Sequence, residues 1–561
     1  STQQRARNPE IALLLAMQSL RQTVELGYAT EEAVDAVHFA LQELGVQYDV
    51  AAGTRVAARP GSQGPVGVYA LPPNELIELA QSTALRDLTD SECQEFLSGA
   101  CPAEVDVPED LKLQGGLDAY APADLQLPLE GTTVTICLCN NFELETSMAR
   151  EFLAFTERTG IKIETTPLSV EDAQNLVPAE PERRPDVVVF NQQIPEWSDN
   201  RAIDIAQFVD PATLRSDFGN FLLSFGMSDT GASASAGNQA VRAIPVAIQP
   251  KGLVFYPKAE FRKAGYRIPR TWDELLALSD QIVADGGTPW CFGFESGDAT
   301  GWPGTDLLES LVLRVGGVET YDAWTRGEIR FTSPAVMAAG RLADALVFKP
   351  GYVRGGTASI SGETFSNQLP HMLSRDSVTG EAEPECWLYH QAEFVLGSVP
   401  AADRIGTDVD FFMLPPIDPS RPTPAVGTAN FVSALNDRPE VREFMSFAAS
   451  PEWGSHFWAA GDNTGFFSPN QRFDPSNYRD ASHDPGVDDV KTSIADATLS
   501  ALRSDAFRMD ASDQMPPEIG ALTLEGGPGA FWQGMVDWVD GTRTIEEVFA
   551  DIDAAWAALP P

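Results

Sequence analysis

The stretch Trp290 to Asp306 reads WCFGFESGDATGWPGTD, and its side chains have the makings of a recognition surface. Gly, Ser, Thr, Pro and Asp dominate it, so composition predicts a loop, yet it holds two tryptophans, two phenylalanines and a glutamate that a solvated connection has little reason to keep. An indole face can lie against the apolar C–H face of a sugar ring, and a carboxylate such as Glu295 or Asp306 accepts hydrogen bonds from vicinal hydroxyls. The same residues suit a structural part equally well: Trp290 and Phe292 would end a buried strand, and Trp302 would cap the core beneath the loop. Both readings stand on sequence.

A second set of polar residues, Asn140, Asn141, Glu143, Asn191 and Gln192, follows the strand-like runs TTVTICLC and RPDVVVFN. Ligands of α/β folds collect at such strand ends, although Asn also serves ordinary turns there. Arrangements for covalent or metal chemistry are missing from the sequence. There is no GxSxG elbow, HExxH or P-loop, and the five histidines (His38, His371, His390, His456, His483) form no pair at ligand spacing. No CxxC pair or Cys/His cluster has zinc spacing, so neither a metal nor a cofactor is expected. A glycoside hydrolase needs only two carboxylates, and with 81 acidic residues spacing does not remove that alternative. Six cysteines are too few for a disulfide scaffold. Cys137 and Cys139 share a strand face as small core residues would, while Cys93 with Cys101, or Cys291 with Cys386, could be oxidised in an exported protein.

These residues sit in a chain of 561, too long for one hydrophobic core and suited to two to four structural units. Apolar residues make up 43% and charged residues 21%, as in ordinary globular proteins. The net charge of −43 repels phosphate backbones and anionic lipid, so no nucleic-acid partner is expected and a neutral ligand fits better than an anionic one. Adaptation to salty surroundings is another source of such acidity. The run IALLLAMQSL is too short to span a bilayer, and no other run approaches its length. The chain opens on Ser1, as a processed or partial chain would; a leader or membrane tether would lie in a segment outside it.

Residues 1–105 read as a mainly helical region. An apolar-periodic segment from Pro9 to Leu26 breaks at Gly27, and a second helix capped by Thr30 ends near Gly45. Residues 106–130, rich in Pro, Asp, Glu and Gly, have linker composition. From about 131 to 561, strands and helices alternate: TTVTICLC, a helix to Thr159 closed by Gly160, then IKIETTPL, RPDVVVFN and AIPVAI. That alternation predicts α/β lobes with mostly parallel sheets. In RTWDELLALSDQIVADGG, Thr271 and Glu274 make a capping box and Gly286 closes the helix. RPEVREFMSFAASPEWG carries apolar residues at helical spacing and reads as packing.

The order VFYPKAEFRKAGYRIPRTWDEL, GTPWCFGFESG, GWPGTD, CWLYHQAEF, VDFFMLPPID, FRMDASDQMPP and GAFWQGMVDWVDG resembles the extracellular solute-binding proteins of ABC importers, family 1, and within them the α-glucoside and maltose binders. The likeness runs from about Thr132 to Pro561. It implies a two-lobed, type II periplasmic-binding-protein-like clamp, with crossovers near Ile244 to Phe255 and Pro424 to Phe431. A neutral oligosaccharide, an α-glucoside in the first instance, would be held between the lobes without turnover and delivered to membrane permease subunits. The location implied is extracellular or periplasmic, and the expected state is a monomer. Trp302, Trp387 and Trp532 match aromatic positions that line the sugar cleft in the maltose-binding branch; Asn140, Asn141, Glu143, Asn191 and Glu295 would supply polar contacts, with Asp513 of SDQMPP a further candidate. Trp538, six residues after Trp532, would be structural. The front region, through NPEIALLLAMQSL, ATEEAVDAVHFAL and LTDSECQEFLSGACP, resembles helical segments of bacterial STAND ATPase and WD-repeat signalling proteins. That fusion makes a ligand-sensing module the alternative to a transport component.

Overall fold

A computed structural model describes residues 47–51, 54–58, 129, 131–138, 142–166, 184–191, 201–228, 240–400, 402–457, 466–479, 484–521 and 527–559. Chain contacts divide it into two compact units, one of residues 1–133 with 153–163, the other of residues 134–152 with 164–561. In the smaller unit, β1 (Gln47–Ala51) and β2 (Thr54–Ala58) form an antiparallel hairpin with Ala51 opposite Thr54, an element not among those expected. The helical pair and the signalling-protein likeness of the front region fall outside the described residues.

The elements that follow are β3 (Thr133–Cys137), α1 (Phe142–Thr159), β4 (Lys162–Thr166), β5 (Val187–Asn191) and α2 (Pro211–Phe225). Two short strands, β6 (Met227–Ser228) and β7 (Ala240–Val241), precede β8 (Ile244–Lys251) and β9 (Leu253–Pro257). Then come α3 (Lys258–Ala264), α4 (Trp272–Ala284), α5 (Trp302–Thr325), α6 (Pro334–Val347) and α7 (Gln368–Met372). The chain continues through β10 (Tyr389–Gln391), β11 (Val409–Met413), β12 (Ala425–Ala434), α8 (Pro439–Ala448) and α9 (Pro485–Arg503). It closes with β13 (Phe507–Met509), α10 (Ala511–Gln514), α11 (Ala530–Val539) and α12 (Ile545–Ala557).

Among the described residues the larger unit is built on two main sheets, with β6 and β7 forming a separate two-stranded antiparallel pair. In the first, the ten-residue β12 pairs antiparallel with β8 along one edge; on the other edge it pairs antiparallel with β5 and parallel with β13, and β5 pairs parallel with β3. In the second, β9 lies between β10 and β11, both antiparallel to it. The expectation of mostly parallel sheets is therefore corrected. β12, which carries the chain back from the other lobe, runs against β5 and β8, and an apolar run such as AIPVAI holds no sign of that direction.

Each sheet has its own core. Ile136, Val188, Phe190, Ile248 and Phe431 are buried around the first, while α4, α5, α6, α11 and α12 close over the second with Leu275, Leu311, Leu346, Trp538 and Phe549. Thr271 caps α4 by accepting from the Glu274 N–H at 3.2 Å, and Glu274 in turn accepts from the Arg270 N–H at 2.6 Å, pinning the helix start one residue earlier than a full capping box would. Among the described residues the chain passes between the sheets three times: at Gly252 between β8 and β9, through residues 414–424 between β11 and β12, and after β13, where Ala511 and Met515 join the second core. These are the crossovers of a two-lobed clamp, with a third that sequence did not disclose. Gly252 has φ +76°, the left-handed region that glycine enters without strain, and its carbonyl accepts from the Leu414 N–H at 3.0 Å.

Candidate functional site

The site is organised by the first turns of α5. The expected loop ends earlier than its composition suggests, because Trp302 to Asp306 is already helical, with Pro303 in the first turn. Gly301 has φ +113°, and a Cβ there would come within 2.2 Å of the Trp532 carbonyl oxygen, so only glycine allows the start of α5 to close on α11. Trp290 and Phe292 are buried and stacked at 5.7 Å, the structural part allowed for them.

Trp302 keeps part of its surface open to solvent. Phe365 stands edge-on to it at 5.2 Å and Phe394 lies at 5.8 Å, both half-buried, so the three rings form one partly open aromatic wall. The Lys251 ammonium lies 5.3 Å from the Trp302 ring centroid. Trp532 is 8% exposed and donates its indole N–H to Ser512 Oγ at 3.2 Å, which ties α11 to α10. Asp513, also on α10, is half-buried and near enough for its charge to favour the protonated form of Lys251. Trp302, Trp532 and Asp513 are thus brought together beside the crossings.

Beneath the wall is a buried charged cluster. Lys251 Nζ donates to Asp306 Oδ1 at 2.9 Å and to Asp510 Oδ2, all three side chains being buried. Asp306 is therefore part of α5 and committed to Lys251, a correction of its reading as an exposed loop carboxylate. Burial, against the pull of Lys251, pushes the Asp306 carboxyl well above the usual carboxylate range; burial would also raise Asp510, but Lys251 and Ser512 outweigh it and hold Asp510 low. Burial by itself would lower Lys251, yet the surrounding carboxylates hold it well above its ordinary value. Asp306, Glu309 and Asp510 approach closely enough to share an ion, and the Lys251 ammonium is the cation already bonded to two of them.

The remaining expected residues lie elsewhere or are locally engaged. Glu295 accepts from Thr364 Oγ1 at 2.7 Å and from the Gly297 N–H at 3.0 Å, and these bonds lower its pKa; its carboxylate pins the loop. Trp387 packs on Tyr266 at 5.1 Å and Phe261 at 6.4 Å. It precedes β10 at the end paired with Phe255 and beyond, whereas Phe394 follows β10 at the Leu253 end, so Trp387 is separated from the wall by the length of the strand. Beside it, the Cys291–Cys386 disulfide has formed across a sequence separation of 95. Cys137 is buried in the core and disulfide-bonded too, where a small core residue was expected. Asn191 ends β5 opposite Asn430 of β12, and Glu143 falls in the first turn of α1. Asn140, Asn141 and Gln192 lie outside the described residues.

Sequence reasoning missed Lys251, Phe365, Phe394 and Asp510. Lys251 had a signal, since it is the one cation in the apolar run AIPVAIQPKGLVF, and a lysine there must find buried partners. Phe365 and Phe394 sit in short 3₁₀ turns that show no periodicity.

Comparison with known proteins places these observations in a lineage. Residues 143–455 match the family described as bacterial extracellular solute-binding protein. Over 436 residues the chain is 31% identical to the alpha-glucosides-binding periplasmic protein AglE of Rhizobium meliloti, covering 77% of this chain and 88% of AglE. It is 27% identical over 412 residues to the osmoprotective compounds-binding protein GgtB of Synechocystis sp., covering 72% of this chain and 89% of GgtB. The apo structure of RafE from Streptococcus pneumoniae superposes with a TM-score of 0.55 at 16% identity, over 77% of this chain and 99% of RafE, a likeness of fold. Among the described residues, no helix is long and apolar enough to cross a membrane.

Proposed function

The chain belongs to the bacterial extracellular solute-binding proteins, and from that premise we propose that it captures a neutral glycoside, in the first instance an α-glucoside, between its two lobes and delivers it unchanged to an ABC permease. The observation that carries the reading is the partly open wall of Trp302, Phe365 and Phe394 beside Trp532 and Asp513, set where the chain crosses between lobes. Aromatic faces receive the C–H face of a pyranose, and a carboxylate orients its hydroxyls. The similarity to AglE supports the α-glucoside, and the similarity to GgtB widens the class to osmoprotective compounds. Neutrality is favoured twice: Lys251 is already matched by Asp510 and bonded to Asp306, and the net charge of −43 repels an anionic ligand.

Capture works by population shift. A ligand touching both lobes makes contacts in the closed form that the open form lacks, and it moves the equilibrium by the difference. Trp302 and Trp532 would serve as platforms and Asp513 as hydroxyl acceptor, with Asn140, Asn141, Glu143 and Asn191 supplying the opposite lobe. Glu295 would act by holding the loop, Trp387 by stiffening the second lobe. The expected partners are permease subunits at the membrane, the expected site of action is outside the cytoplasmic membrane, and the expected state is a monomer.

A thermal-shift panel of maltose, trehalose, sucrose and longer α-glucosides tests this. A ligand bound only by the native state adds about 2.7 kcal/mol of apparent stability at a hundredfold excess over Kd. A rise in unfolding temperature with at least one neutral glycoside, and none with its phosphorylated counterpart, is expected. No shift with any neutral glycoside, or a shift only with the phosphorylated one, would overturn the proposal.

A further inference from the structure

Helix α5 presents a row of buried polar side chains, Asp306, Ser310 and Arg314 at four-residue spacing with Glu309 beside them, and the row meets every crossing between the lobes. Asp306 holds Lys251, the last residue of β8. Ser310 Oγ lies where a Cβ on Gly252 would come within 3.0 Å. Arg314 donates to the carbonyls of Leu414, Pro415 and Pro424 on the second crossing, at 2.6, 3.2 and 3.0 Å. Glu309 accepts from the N–H groups of Ala511 and Ser512 on the third, at 2.9 and 3.0 Å. Lys251 is the member of the group that also faces the aromatic wall. It is bonded to α5 through Asp306 and to the third crossing through Asp510, it adjoins the hinge glycine, and its ammonium faces the Trp302 ring.

We propose that Lys251 is a positioning residue for ligand capture: clamped between Asp306 and Asp510, its ammonium holds Trp302 in the orientation that receives the ligand and makes that orientation depend on the geometry of the crossings. This rests on the solute-capture reading above. The physical ground is that an ammonium attracts an indole face electrostatically, and with the ammonium buried solvent screens the attraction only weakly. Two carboxylates on different segments fix the ammonium in space, so a shift of β8 relative to α5 or β13 must move it and the ring it faces. A lysine present only to neutralise buried carboxylates would keep the cluster folded and leave Trp302 indifferent to its replacement.

The test compares full-length wild type, Trp302→Phe, Lys251→Met and their combination. The double variant Lys251→Met/Asp306→Asn stands in for Lys251→Met, because it removes one buried carboxylate together with the cation, should the single variant not fold. Emission of each background minus that of its Trp302→Phe partner isolates Trp302, whose acrylamide quenching is read without ligand. Quenching should rise at least twofold when the ammonium is lost. Titration with maltose as probe then completes a double-mutant cycle: Lys251→Met should weaken binding about tenfold, and Trp302→Phe should cost clearly less affinity in the Lys251→Met background than in wild type. Unchanged quenching, or losses in affinity that multiply within a factor of two, would overturn the positioning role. If wild type bound none of maltose, trehalose, sucrose or the longer α-glucosides, the solute-capture reading would fall and the role in capture with it, while the quenching result would still show separately whether Lys251 holds the ring.

Discussion

His390 makes a quantitative prediction about pH. It lies on β10, fully buried, with the cations of Arg314 from α5 and Lys251 from β8 as its charged neighbours. Burial first, then those two positive charges, push its pKa from 6.5 down to about 3, so the folded imidazole stays neutral across the physiological range. The unfolded chain takes up a proton near pH 6.5 and the folded chain does not. Stability contributed by this group is therefore fully present above pH 6.5 and is lost as pH falls toward 3. With those two values the linkage relation gives a loss of about 2 kcal/mol between pH 8 and pH 5. His390→Asn removes the titration while keeping a polar group. Other titrating groups act on both proteins alike, so the quantity to read is the difference in urea-unfolding free energy between pH 8 and pH 5, wild type minus variant. Wild type should lose about 2 kcal/mol more than His390→Asn over that interval. Equal losses would mean that His390 reaches solvent in the native state, and the burial of β10 beside Lys251 and Arg314 would be wrong.

Other residues make contrasting predictions. Trp302→Ala should weaken glycoside binding by on the order of 1–2 kcal/mol with little change in unliganded unfolding, whereas Trp387→Ala should leave affinity within about twofold and lower the unfolding midpoint, both read by calorimetry. Replacing Cys291 and Cys386 together by serine should destabilise the second lobe by about 2–4 kcal/mol, measured against the oxidised wild type; no change would mean that the bridge adds nothing to the core beside it. Gly252→Ala combines a positive φ with a close approach to Ser310 Oγ and should lower stability by roughly 1–2 kcal/mol, with partial recovery on adding Ser310→Gly.

Much of the architecture could be read where local chemistry declares it. Thr271, Glu274 and Gly286 mark the ends of α4 because caps and left-handed closures depend on neighbouring residues. The start of α5 could not be read in that way. Gly301, Pro303 and Gly304 look like a loop, and the helix forms there because Gly304 lets α5 approach Phe294 and Met535, where a Cβ would come within 2.6 and 2.9 Å. Strand direction in the sheets was equally hidden, since an apolar run marks burial and not polarity of pairing. At the site, Trp302 and Trp532 stand together through contacts between α5, α10 and α11, while Trp387, which sequence placed with them, lies at the far end of β10. Lys251 shows the limit most plainly. Its burial could be inferred from its apolar neighbours, but its partners Asp306 and Asp510 are 55 and 259 positions away, beyond any local pattern.

Isothermal titration of the full-length protein with neutral α-glucosides, followed by mass analysis of the sugar released on unfolding the complex, separates reversible capture from turnover. Capture between the lobes requires saturable one-to-one binding of at least one such sugar, a smaller radius of gyration in the complex, and recovery of the sugar intact. Recovery of shortened sugar, or binding with no compaction of the chain, would contradict reversible capture between the lobes.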